Sequence, residues 1–377
     1  MPNRLNFLKA IALFCASIIG AGFLVLPYTA LRFGFWGIVF YFIILTILMC
    51  TIYSLFGRVV WNTKEIYSVP GYVEKCLGQK VRNFSVFISA AGIVGILLIY
   101  IIIGGKFLTL LFAPYLGGSV IFYTLMFFLF MSLLLYIKNE YDRSHIVNLG
   151  ILIISFLVLS IFIIEGLPFF NAANLKSGFN LDYIGLPYGI ILFSLWALST
   201  VPEVRKMAFS EKELKVILCL GTLISAIFYL LFTITILGVS GNTTSEEALS
   251  GFVKIIGGNI IKIGLAFGLL TILDSFLAFG LDLKRIFYRD AKLSKNLAWF
   301  FACFLPISLF LMNLRDFVNI MYVVGAFLFT IEIIIIVLVY RNFVNSQLKK
   351  SSPLSVRLLL TLFSAFIIFE FWYFFIK

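Results

Sequence analysis

Apolar runs of eighteen residues or more recur from one end of this chain to the other, and that feature narrows its solvent to lipid. A run of that length crosses a hydrocarbon core of about 30 Å as a helix. The 377 residues are 62% hydrophobic and only 12% charged, with Phe alone occurring 44 times. A soluble domain carries about 25% charged residues, so this chain could not cover a water-facing surface.

The runs predict eleven spans, at roughly 9–31, 35–60, 84–112, 118–137, 146–166, 185–208, 213–239, 257–281, 296–313, 317–340 and 355–376. No linker separates independent units. The expectation is an all-α polytopic membrane protein forming one domain over 1–377, with repeats at about 9–166 and 185–340 and an extra span at 355–376. The longest polar stretch, about 61–83, mixes charges with Tyr67, Tyr72 and Leu77 and predicts a short interfacial helix.

The net charge of +12 does not point to nucleic acid. The basic residues sit in short loops between apolar runs, which is the pattern of topology signals. With the N-terminus cytoplasmic, 22 of the 29 Lys and Arg fall inside, Arg143, Lys349 and Lys350 among them, and 7 fall outside, Lys377 among them. That split predicts a cytoplasmic-membrane protein with its N-terminus in and its C-terminus out. The first run extends far past a cleavable h-region and meets no clear cleavage site, so span 1 is expected to stay in the mature chain.

Two spans are interrupted. Span 1 carries Gly20-Ala21-Gly22 and then Pro27; span 6 carries Ser199-Thr200 and then Pro202. Glycine frees the backbone and proline removes a donor. Unwound backbone at membrane depth is tolerated only against protein or a water-filled cavity. Interrupted helices opening two halves of a chain point to a transporter's binding site. The bland alternatives are a kinked packing helix and hydroxyls bonded to their own helix.

Ionisable residues inside spans are functional candidates by default. Asp274 in span 8 is one, although it could lie near the inner interface. Glu332 in span 10 is deeper, either protonated or paired. Lys106 follows Gly104-Gly105 and can snorkel, Arg32 ends span 1 as an outer-gate charge or an interface anchor, and Glu370 reads as peripheral. The five cysteines read as small buried hydrophobes, and His145 is the only histidine. No Walker loop, zinc pair or Ser/His/Asp constellation is present. The chain therefore reads as no enzyme, with no metal site and no cofactor, and transport would draw on an ion gradient.

Ile18-Ile19-Gly20-Ala21-Gly22 with Leu26-Pro27 resembles the opening motif of the amino acid/auxin permease family and its bacterial aromatic and hydroxy amino acid permease relatives. Val201-Pro202-Glu203 is similar to that family's span 6 motif. Ser275-Phe276-Leu277-Ala278-Phe279-Gly280-Leu281, with Arg285 and Asp290, is similar to its span 8 signature. The resemblance implies the five-plus-five inverted-repeat fold of the bacterial leucine transporter, and an amino acid substrate bound at Ile19, Gly20, Ala21, Gly22 and Phe23 and at Ala197, Ser199 and Thr200, with Tyr100 reaching it. It implies a coupling cation, Na+ or H+, held near Ile19, Asp274 and Ser275. The acid at Asp274 departs from the neutral hydroxyl of that fold and leaves the ion open. A transporter-fold amino acid sensor, resembling spore germinant receptor membrane subunits, is the alternative. The expected partners are the amino acid substrate and membrane lipid.

Overall fold

The computed structural model of the chain describes residues 4–138, 145–176, 178–257, 260–346 and 353–376. Of the basic residues used for orientation, Arg143, Lys349, Lys350 and Lys377 lie outside these.

Among the described residues every regular element is helical. Nine of the described helices are long and apolar enough to cross a membrane, and a bent pair, Leu5–Ile18 with Gly22–Phe33, turns by 51° to make a tenth span. The shorter apolar helix Lys295–Leu311 takes the ninth place in the expected order of eleven. The other spans are Phe35–Asn62, Gln79–Leu116, Val120–Ile137, His145–Gly166, Leu186–Ser194 continued by Val201–Arg205, Glu211–Ser240, Ile260–Arg285 continued by a π-helical turn to Asp290, Phe317–Ser346 and Leu354–Ile376.

Local chemistry sets many of these boundaries. Ser68, Ser119, Ser210, Ser294 and Asp316 each accept a hydrogen bond from the exposed N–H groups of the helix that follows. Spans 1 and 2 are joined by Gly34 alone, at φ +116°, where a side chain would be strained. Pro27, Pro187 and Pro202 all sit in first turns, where a missing N–H costs nothing. The prolines of spans 1 and 6 thus start the second half-helices, and the unwinding lies before them.

Burial sorts the spans into core and lipid-facing shell. Span 1 is buried without interruption over 10–27, and spans 6 and 3 are 89% and 83% buried, while span 11 is 17% buried and spans 4 and 5 are 28% each. Spans 4 and 11 turn side chains such as Leu129, Phe130, Trp372 and Phe375 outward, as a bilayer requires. Span 2 packs on span 7 and span 3 on span 8, while the first half of span 1 packs on span 5 and that of span 6 on span 10. The first two contacts join matching spans of the two halves and the last two are counterparts of each other, the arrangement of the five-plus-five inverted-repeat fold.

Two local expectations change, and Lys284 adds an unforeseen contact. The expected short helix between spans 2 and 3 runs Val69–Leu77 and packs on spans 3 and 10 with Tyr72 and Val73 buried, and span 3 starts earlier than expected, at Gln79. Glu370 is not peripheral: it is 1% exposed and accepts a hydrogen bond of 2.5 Å from the Tyr322 hydroxyl of span 10. Lys284 turns inward and donates to the terminal carbonyls of span 4 at Leu135 (3.2 Å) and Lys138 (3.3 Å).

Candidate functional site

Span 1 unwinds at Ile19-Gly20-Ala21 and resumes as a 3-10 turn, Gly22–Val25, before helix Leu26–Phe33. Span 6 unwinds at Leu195-Trp196-Ala197 and resumes through Leu198–Thr200 into Val201–Arg205. The two breaks meet. A Cβ on Gly22 would lie 2.7 Å from Ser194 Oγ and 2.8 Å from Ser194 Cα, so only glycine lets the two backbones cross this closely.

Two tyrosines hold the opened ends. The Tyr229 hydroxyl of span 7 lies 2.7 Å from the Ile18 carbonyl and 3.0 Å from the Ser194 carbonyl, and its one proton can serve either. Both carbonyls belong to the last turns of broken half-helices, which have lost their intrahelical donors. The Tyr53 hydroxyl of span 2 donates to the Leu195 carbonyl at 2.5 Å and accepts from the Ala197 N–H at 2.8 Å. Sequence reasoning named neither residue. The available signal was a tyrosine within an otherwise apolar run, since a buried hydroxyl needs a partner.

Between the breaks is a small cavity of about 10 Å3, room for about one water. Its walls include Gly20, Gly22, Tyr100, Ser194 and the rings of Phe193, Trp196 and Phe279. Ser275 of span 8 borders Gly20, its Oγ 3.4 Å from where a Cβ would stand, and the Tyr100 hydroxyl is closer still, at 2.6 Å.

Beneath the cavity opens a vestibule of about 790 Å3, lined by Leu13 of the first half of span 1 and by the loop between spans 2 and 3. Trp196 and Phe279 border both spaces, and the Trp196 ring stacks on Phe329 of span 10 at 4.0 Å between centroids and 7° between planes. This aromatic layer separates them. Charged groups from spans 6, 8 and 10 line the vestibule, and Arg285 pairs with Glu203 (3.8 Å) and Asp282 (3.4 Å).

Toward the opposite face, aromatic packing fills the space between the described residues around Phe23. Phe23 packs into a cluster with Phe228, Tyr229 and Phe232, at 5.5, 5.9 and 4.7 Å between centroids. Toward that face Arg32 Nε donates to the Tyr28 hydroxyl at 2.9 Å and its guanidinium lies over the Tyr183 ring. Lys106 sits 4.3 Å above the Phe317 ring and 3.8 Å from a Glu246 carboxylate oxygen.

Not every expected site residue reaches the break cavity. Gly20, Gly22 and Tyr100 do. Ile19 and Ala21 are buried in the core around it, Phe23 is turned into the aromatic cluster, and Ala197 is engaged through its N–H by Tyr53. Ser199 and Thr200 lie lower, with Ser17, in a pocket that continues toward Glu203, Asp282 and Arg285. The residues of span 6 that face Gly20 and Gly22 are Phe193, Ser194 and Trp196, because the helix opens one turn before the Ser-Thr pair. Asp274 is half-buried and lines none of these cavities, while its neighbour Ser275 is buried beside the span 1 break. Glu332 is buried in the vestibule wall and accepts a hydrogen bond of 2.7 Å from Ser89 Oγ.

Solved transporter structures share this architecture. MhsT in complex with L-phenylalanine aligns with a TM-score of 0.69 at 15% identity over 98% of this chain and 98% of its own. The Eremococcus coleocola manganese transporter aligns at 0.66 and 10% identity over 96% and 84%. Mhp1, a nucleobase-cation-symport-1 family transporter, aligns at 0.64 and 9% identity over 93% and 80%. At these identities the likeness shows the fold alone. No curated protein matches the chain by sequence. The family model that does match spans residues 4–371 and carries a different label from the amino acid/auxin permease family that the motifs suggested. The chain belongs to the tryptophan/tyrosine permease family.

Proposed function

We propose that the protein is a secondary active transporter that moves aromatic amino acids across the cytoplasmic membrane by alternating access, with a cation as co-substrate. The observation that carries this reading is the convergence of two helix breaks on a cavity walled by Tyr100, Phe193, Trp196 and Phe279. The opened N-terminal ends of the second half-helices offer N–H groups and a positive dipole to a substrate carboxylate. The freed carbonyls at Ile18 and Ser194 offer negative ends to an amine or a cation. Around them the rings give an aromatic side chain flat apolar surface for offset or edge contacts.

The cavity holds about one water in this conformation, far less than an amino acid needs, so substrate entry requires the Trp196 and Phe279 layer to move. The open vestibule and the aromatic packing toward the opposite face fit an inward-facing state after release. On the side predicted from the basic loops, that vestibule meets the cytoplasm. For the cation, Ser275 supplies a hydroxyl next to the Gly20 break and Asp274 a half-buried carboxylate in the same turn, with the Ile19 carbonyl completing the expected set.

The test is uptake of radiolabelled tryptophan into proteoliposomes containing the purified protein, with competition by unlabelled amino acids under imposed sodium or proton gradients. Saturable uptake inhibited by tyrosine and phenylalanine, and not by lysine or glutamate, is expected. Saturable binding without flux would move the assignment to the sensor alternative.

A further inference from the structure

The structure assigns a proton-binding site to the Glu332–Ser89 pair in the vestibule wall, and we propose that its occupancy decides whether the vestibule can close. Glu332 is 5% exposed in the middle of span 10, and among the described residues its one hydrogen-bond partner is Ser89 of span 3. An ionised carboxylate with a single hydroxyl partner is tolerated at membrane depth only when water reaches it. Here water can, because Glu332 and Ser89 both line the vestibule.

Closing the vestibule removes that water. Span 10 then has to bury Glu332 against span 3, and the carboxyl must first take up a proton. The proton comes from vestibule water and returns to it on reopening, and no other bond is made or broken. A divalent metal cation is the poorer occupant, since one carboxylate and one hydroxyl fall short of the six or more oxygens that such hard ions take.

The position relative to the aromatic layer gives the site its leverage. Phe329, which stacks on Trp196, precedes Glu332 by three residues and so shares its helix face. Phe329 also ends a π-helical stretch, Val324–Phe329, a register that recurs at functional sites. Span 3 follows the same seam: a Cβ on Gly92 would lie 2.9 Å from the Phe329 ring, one turn beyond Ser89.

Among the described residues no neighbouring charge answers Glu332 directly. From spans 6 and 8, Arg285 is engaged by Glu203 and Asp282, and Asp290 by Arg82 of span 3 at 3.1 Å. Lys206 and Arg289 are exposed. From span 2, Arg58 pairs with Glu211 and reaches Tyr340. From the short helix, Glu74 pairs with Arg82 and Lys75 lies over Tyr67, whereas the Tyr72 ring is buried. From span 11, Glu370 is held by Tyr322, and Arg357 is exposed.

The proposal rests on the transport reading for its purpose, but its test needs no substrate. On a background with the five cysteines replaced, Ile93→Cys places a thiol on the vestibule wall. Its labelling by a membrane-impermeant maleimide is measured from pH 5 to pH 9, normalised at each pH to the same thiol in denatured protein. With Glu332 present, normalised labelling should rise with pH as the carboxylate holds the vestibule open. Glu332→Gln should abolish the pH dependence and leave labelling slow, and Glu332→Asp should restore the dependence. Ser89→Ala, which keeps the carboxyl, should displace the midpoint, and it stands in for the Gln variant if that variant fails to fold. A Gln variant with the original pH profile, or an unmoved midpoint in Ser89→Ala, overturns the proposal. An intact profile in a protein without aromatic amino acid flux would sink the transport reading alone.

Discussion

Gly22→Ala adds one methyl group where the two broken helices cross, and the structure sets its cost. The new carbon would stand 2.7 Å from Ser194 Oγ and 2.8 Å from Ser194 Cα. The hydroxyl could rotate away, but the Cα is main chain, so the two segments must separate to reach ordinary contact. Overpacking of this kind costs typically about 1–3 kcal/mol. If the strain falls on states in which the breaks close around substrate, transport slows by about 5- to 150-fold. Gly22→Val should be worse, because it adds two branches at the same place. The assay is the initial rate of tryptophan counterflow in proteoliposomes, with folding checked by monodispersity and thermal melting. Gly150→Ala is the control: the added carbon meets nothing within 4 Å, so its rate should be unchanged. A Gly22→Ala protein that exchanges substrate at the original rate would refute close backbone crossing as the basis of the site.

Other perturbations separate the parts of the account. Tyr229→Phe leaves the Ile18 and Ser194 carbonyls without their shared donor; it should cost about 1–3 kcal/mol, read as a lower melting temperature in detergent, and an unchanged melt would contradict the bridging role. Trp196→Leu removes the stack on Phe329, worth about 0.5–1.5 kcal/mol beyond its buried area. Exchange should persist while preloaded substrate escapes faster toward the vestibule, and unaltered retention would show that Trp196 is not part of the barrier. Asp274→Asn should abolish accumulation driven by a cation gradient and spare counterflow; gradient-driven accumulation at the original level would make Asp274 structural.

Much of the fold was legible because its physics is one-dimensional. A helix must be apolar for about twenty residues to cross lipid, so span order and approximate bounds follow from the runs alone. The two interruptions were legible for the same reason, since glycine and proline act on their own backbone. What the chain did not reveal is where neighbours place each residue. Pro202 announces a break in span 6, but the opening falls at Leu195–Ala197, because Tyr53 captures both the Leu195 carbonyl and the Ala197 N–H. That shift drops Ser199 and Thr200 below the cavity and brings Ser194 and Trp196 into its wall. Glu370 looked peripheral near the end of the last span, and only its pairing with Tyr322 of span 10 shows otherwise. Gly22 was read as room for a substrate; it is first of all room for Ser194.

The substrate site proposed between the two breaks is tested by a structure of the protein with L-tryptophan bound. The carboxylate should lie at the opened backbone of Gly20 to Gly22 and the indole among Tyr100, Phe193, Trp196 and Phe279, with Trp196 displaced from its stack on Phe329. Tryptophan seated instead in the vestibule among Glu203, Asp282 and Arg285, with the breaks still closed on each other, would contradict it.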